Sequence, residues 1–123
     1  VDTDRLERIL DNILSNSLQY TPNKGNIEIS VNEEENSIVY EICDSGSGFL
    51  QKDLERAFDR FYRGDKARNS EGGHSGLGLY IVKKLVEQLH GSIKIKNTVY
   101  GGADVIFRHP NYKNESSYHD MIT

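Results

Sequence analysis

Leu6, Ile9, Leu10, Ile13 and Leu14 recur at steps of three and four residues, the period that lines one face of an α-helix. The stripe predicts a helix over about residues 4–20, stopped by Thr21-Pro22. Ile27, Ile29 and Val31 alternate with Glu28, Ser30 and Asn32, and an apolar stretch from Ile38 to Cys43 follows the acidic turn at 33–36. This pattern predicts a hairpin of two strands. A short helix is expected over 51–58. Leu77, Leu79, Tyr80, Val82, Leu85, Val86 and Leu89 predict a second long helix, ended by His90-Gly91. Ile93 with Ile95, and Val105 with Phe107, predict a closing strand pair around Tyr100-Gly-Gly. Residues 64–75 are polar and rich in Gly, Asn and Ser, which predicts a mobile lid. No internal repeat interrupts this order.

A length of 123 residues suits one domain with one core. The domain is expected over 1–110, and the polar, aperiodic tail 111–123 is expected to be disordered. A net charge of −4 excludes a general nucleic-acid binder, which needs a cationic face, so an anionic ligand must be met locally. The single cysteine, Cys43, has Ile42 and Val39 as apolar neighbours, which predicts a buried strand position and suits a reducing compartment. No apolar run spans a bilayer. The start Val1-Asp-Thr-Asp is neither a signal peptide nor a translation start, so the chain is expected to be a piece of a larger protein.

Four segments carry candidate chemistry. Asn12 and Asn16 lie four apart beside the first helix's apolar stripe, a neighbouring face that reads either as solvated polarity or as an amide ligand for Mg²⁺ carried on phosphates. Asp44 ends a hydrophobic strand where Gly46 and Gly48 permit tight turns. This motif is either a plain loop or a base reader, because a carboxylate accepts from an exocyclic amino group and rejects a carbonyl. Tyr20, Ile42 and Phe49 are either walls for a flat base or ordinary core.

Arg60 and Arg63 alternate with aromatic residues and read as solubilising charge or as forks for phosphate, with Phe58 and Phe61 as packing anchors of the lid. Gly76-Leu77-Gly78-Leu79 puts unblocked backbone N–H groups at the first turn of the second long helix, where the dipole favours anions. Ser75 is expected to cap that helix or to touch a phosphate. Neither the P-loop pattern nor the dinucleotide-binding strand context is present. His74, His90, His109 and His119 show no metal-ligand spacing.

Taken in order, these segments resemble the catalytic, ATP-binding domain of bacterial sensor histidine kinases, within the GHKL superfamily. The likeness covers about residues 4–107. Residues 10–22 resemble the N box, Asp44-Ser-Gly-Ser-Gly-Phe49 the G1 box, Ala57-Phe-Asp-Arg-Phe-Tyr-Arg63 the F box, and Gly72-Gly-His-Ser-Gly-Leu-Gly-Leu79 the G2 box. The resemblance implies the Bergerat fold, an α+β two-layer α/β sandwich with a mixed sheet covered on one face by helices. It implies that Asn16 ligates Mg²⁺, Asp44 reads the adenine amino group with Gly46, Gly48 and Phe49 around it, and Tyr20 lies beside the base. Ser75, Gly76, Leu77, Gly78 and Leu79 then line the phosphates of ATP, which Arg60 and Arg63 approach from the lid.

This chain departs from the family pattern at three places. Gln19 stands where a Lys or Arg is common, His74-Ser75 stand where one small residue is usual, and no segment with an acceptor histidine is present. Asn12 replaces the glutamate that activates water in ATP-hydrolysing members, and an amide is no general base. The implied function is therefore transfer of the γ-phosphate to a histidine on a separate dimerisation and phosphoacceptor domain of the same parent, with a response regulator downstream. The resemblance places such a domain, monomeric when isolated, in the cytoplasmic portion of a sensor. The alternatives are a serine kinase of the anti-sigma-factor kind and an inactive nucleotide-binding regulatory module.

Overall fold

The computed structural model describes residues 2–62 and 78–111, with the side chain of Tyr20 left out. The first helix, α1, runs Thr3–Tyr20. Asp2 caps it by accepting from the Arg5 N–H at 3.1 Å, and the Arg5 guanidinium closes back on the same carboxylate at 2.7 Å. Pro22 disfavours helical geometry at the residue before it. Thr21 is accordingly extended, and its hydroxyl donates to the Ser17 carbonyl at 2.5 Å.

Strands β1 (Ile27–Glu34) and β2 (Ser37–Asp44) form the expected hairpin, turning through Glu35, whose φ is +52°. The short helix α2 (Gln51–Arg56) and the longer α3 (Leu79–Gln88) follow, then β3 (Ser92–Asn97) and β4 (Ala103–Pro110). At the end of α3 it is His90 that takes the left-handed conformation, φ +62°. Gly91 is needed for closeness instead, since a Cβ there would lie 1.8 Å from the Arg108 carbonyl oxygen.

The sheet order is β1-β2-β4-β3, with β4 inserted between the hairpin and β3. Every pairing among the described residues is antiparallel, where the resemblance implied a mixed sheet. Two tight turns set β1 against β2 and β3 against β4, and β4 runs opposite to β2. Helices α1 and α3 pack on each other and on one face of β2, β4 and β3, which gives the two-layer sandwich. Ile9, Ile13, Ile42, Leu79, Val82, Val86 and Phe107 are fully enclosed between the layers. Ile29 and Val31 share the core side with Ile42 and Tyr40 but stay half exposed, because the helices do not reach over edge strand β1. His109, also buried, faces the Pro110 carbonyl through Nδ1 at 2.8 Å, so Nδ1 carries the proton and Nε2 accepts from the Tyr40 hydroxyl at 2.8 Å.

Cys43 is not in the core. Strand alternation turns it to the outer face with Glu41, half buried beside Asp104, to which its thiol donates at 3.3 Å. Burial, and the Asp104 carboxylate next to it, push the thiol up to about 12. Cys43 is therefore expected to resist alkylation by iodoacetamide up to about pH 9 in the folded protein and to react readily in denaturant, where its ordinary pKa returns. Rapid native labelling at pH 8, followed by mass spectrometry, would contradict this placement.

The expected lid, 64–75, lies outside the described residues, as does the tail apart from Asn111. Asn111 is tied down, its N–H donating to the Asn36 carbonyl at 2.7 Å.

Candidate nucleotide site

Asp44 occupies the last position of β2 and is 8% exposed. Its Oδ1 accepts from the Gly46 N–H at 2.9 Å and from the Ala103 N–H at 3.2 Å. Its Oδ2 accepts no hydrogen bond among the described residues. No fully enclosed side-chain oxygen there lacks a partner, so Oδ2 opens to accessible space. A carboxylate held by one oxygen and open at the other can receive a donor from a ligand.

The loop after Asp44 is secured on two sides. Asn26, just before β1, donates its N–H to the Ser45 hydroxyl at 2.8 Å and accepts the Ser45 N–H at 3.0 Å. On the other side the β3–β4 turn presses against it: Gly102 abuts the Asp44 carbonyl so closely that a Cβ would lie 1.8 Å from that oxygen. Gly48, at φ +75°, faces the Gly101 carbonyl. Phe49, at the end of the loop, is partly buried and packs against the core.

At a second place the F-box segment meets the start of α3. A hollow of about 300 Å³ is lined by Asp59, Arg60, Phe61, Tyr62 and by Gly78 to Ile81. Gly78 is the N-cap of α3, at φ +48°. A left-handed cap residue suits glycine, and the capping expected of Ser75 falls outside the described residues. Arg60 is exposed, with its guanidinium over the rings of Phe61 at 4.9 Å and Tyr80 at 5.8 Å. Leu79 sends its side chain into the core, 1% exposed.

Of the two expected F-box anchors, only one packs inward. Phe58 packs against the core, but Phe61 is 87% exposed at a φ of +67°. Tyr62 goes in instead, donating its hydroxyl to buried Asp53 at 2.6 Å, while the other Asp53 oxygen accepts the Leu50 N–H at the start of α2. Neither Asp53 nor the β3–β4 turn figured among the expected site residues. The consecutive Gly101-Gly102 is the sequence signal for the turn, and by pattern alone it marks only a strand connection.

Asn12 is exposed and Asn16 half buried on α1; neither lines the hollow. Ile42 is enclosed in the core and is no wall for a ligand. Arg63, Ser75, Gly76 and Leu77 lie outside the described residues. The structure thus gathers Asp44, Gly46, Gly48 and Phe49 in one loop and Arg60, Gly78 and Leu79 around one hollow. Among the described residues, Glu41, Cys43 and Asp104 offer ligand atoms within 4.8 Å of one another, but on the outer face, where Lys96 reaches Asp104 at 3.8 Å.

The family model for histidine kinase-, DNA gyrase B- and HSP90-like ATPases matches residues 1–113. The chain belongs to this ATPase family. Its relatives are sensor histidine kinases. WalK of Bacillus subtilis is 43% identical over 117 residues, 94% of this chain and 19% of WalK. Among solved structures, the mycobacterial sensor histidine kinase MprB superposes with a TM-score of 0.77 at 27% identity, covering 89% of this chain and 74% of that one. Full-length ShkA, solved in complex with AMPPNP, superposes with a TM-score of 0.74 at 25% identity, covering 89% and 22%. The chain spans about a fifth of the length of WalK. Among its described residues no helix is long and apolar enough to cross a membrane.

Proposed function

We propose that residues 1–110 bind Mg-ATP and donate its γ-phosphate to a histidine on a separate phosphoacceptor domain of a parent sensor kinase, for onward passage to a response regulator. The observation that carries this reading is the half-engaged Asp44 carboxylate, anchored through Oδ1 and open at Oδ2. Adenine offers an amino group to such an acceptor, whereas guanine offers a carbonyl. Arg60 and the N-terminus of α3 border one hollow, a setting suited to phosphate. Arg63 and Ser75 to Leu77, and the placing of Tyr20 beside the base, enter the proposal from the sequence alone.

The donor set fits magnesium rather than a softer ion, because Asn16 offers one neutral amide oxygen and Mg²⁺ keeps most of its waters. When bound, the ion supplies charge neutralisation at the phosphates. The chain's own residues position the nucleotide, and Asn12, being an amide, draws no proton from water. Poor hydrolysis and competent transfer to an intrinsically nucleophilic imidazole follow. The isolated domain is monomeric, and in the parent it acts beside the dimerisation and phosphoacceptor domain in the cytoplasmic part.

Radiolabelled ATP and Mg²⁺, supplied to this chain with and without a separately made helical domain bearing the parent's acceptor histidine, test the reading. The chain alone is expected to take no label and to hydrolyse ATP slowly. The mixture is expected to yield an acid-labile, base-stable phosphohistidine on the helical domain. Label on serine would point to a kinase of the anti-sigma kind, binding without transfer to a regulatory module, and fast hydrolysis by the chain alone would refute the role given to Asn12.

A further inference from the structure

We propose that Asn97 is a positioning residue for base recognition, setting adenine affinity and selectivity through the Asp44 loop without touching the nucleotide; this rests on the adenine-reading role given to Asp44. Asn97 is the last residue of β3 and is exposed, where an asparagine ordinarily faces water. Here both ends of its amide are engaged by one residue 48 positions away. Its Oδ1 accepts the Phe49 N–H at 2.7 Å, and its Nδ2 donates to the Phe49 carbonyl at 2.9 Å. This two-point pairing is the one neighbouring strands make, so a single side chain docks the end of the glycine loop onto the sheet.

Both ends of that loop rest on the same turn. Asp44 is held through the Ala103 N–H and against Gly102, while Phe49 is held through Asn97. Between them Gly48 fits only because it lacks a side chain: a Cβ would lie 2.3 Å from the Gly101 carbonyl oxygen and 2.8 Å from Asn97 Oδ1. The turn itself is internally braced. The Thr98 N–H donates to the Gly102 carbonyl at 2.8 Å, the Gly101 N–H to the Thr98 carbonyl at 3.0 Å, and the Gly102 N–H to the Thr98 hydroxyl at 3.0 Å. Removing the Asn97 amide leaves this brace and both Asp44 Oδ1 bonds in place. It releases only the Phe49 end, so the segment beside the open Asp44 oxygen samples more conformations and adenine loses its preformed seat.

The test compares the full chain with Asn97→Ala by titration with ATP, GTP and inorganic triphosphate, the last carrying no base. Asn97→Ala is expected to weaken ATP about five- to tenfold, the effect of losing ordinary hydrogen bonds. The ATP-to-GTP preference should shrink by a similar factor, with triphosphate binding unchanged. A merely structural role would lower ATP and triphosphate affinity together and leave the preference intact, which would overturn the proposal. So would unchanged ATP affinity. If the unmodified chain binds ATP and GTP alike, the base-reading role of Asp44 fails first. If it prefers ATP and Asn97→Ala keeps that preference, only Asn97 is refuted.

Discussion

Asp44→Asn is expected to weaken ATP binding by about 1.5–3 kcal/mol, some 10- to 150-fold, while leaving the fold nearly as stable. The Gly46 and Ala103 N–H groups both point at Oδ1, so they fix which way the new amide sits: its carbonyl oxygen must accept from them, and its NH₂ must take the place of Oδ2. A donor then faces the adenine amino group, which is also a donor. The same NH₂ suits the carbonyl of guanine, so the preference for ATP over GTP should collapse or reverse. Calorimetric titration of both proteins with both nucleotides reads this directly. An equal loss for ATP and GTP, or no loss at all, would remove Asp44 from base recognition.

Phe107→Ala carries the largest expected cost to stability, about 3–5 kcal/mol. Phe107 is enclosed at 1% exposure on β4, an inner strand of the sheet, with its ring stacked on Tyr40 at 4.5 Å and 8°. Truncation removes that stack and opens a cavity between the layers. A domain of this size has about 5–15 kcal/mol in total, so the variant should be marginal at 25 °C. Phe107→Leu, which keeps most of the volume, should lose far less. Urea unfolding followed by circular dichroism measures both. A loss under about 1 kcal/mol for the alanine variant would mean that the core collapses around the gap more freely than its packing suggests.

Much of this protein is set by patterns a few residues long. The stripe from Leu6 to Leu14 and the proline at 22 define α1 to within a residue, because a helix's inward face and its stop are written in neighbouring positions. The alternation at Ile27, Ile29 and Val31 likewise defines β1, and Asp44 stands at a strand end followed by glycines, as its motif requires.

What the pattern could not fix depends on partners far along the chain. Alternation tells that Cys43 and Ile42 point opposite ways, but only the packed helices decide which side is the core. Phe61 and Tyr62 are adjacent and similar in size, and the hydroxyl of Tyr62 enters because Asp53 waits for it. Ile29 and Val31 have the period of core residues yet remain half exposed, since the described helices pack over β2, β4 and β3 rather than over β1. The seat of the site is the clearest case. Asp44 owes its held oxygen to Ala103 and its loop owes its anchor to Asn97, contacts that span 59 and 48 residues. The elements and the chemistry each presents are local properties of the chain and can be read from short runs of residues. Which oxygen of Asp44 is left for a ligand is not local, because it follows from β4 lying beside β2 and bringing the glycine turn against it.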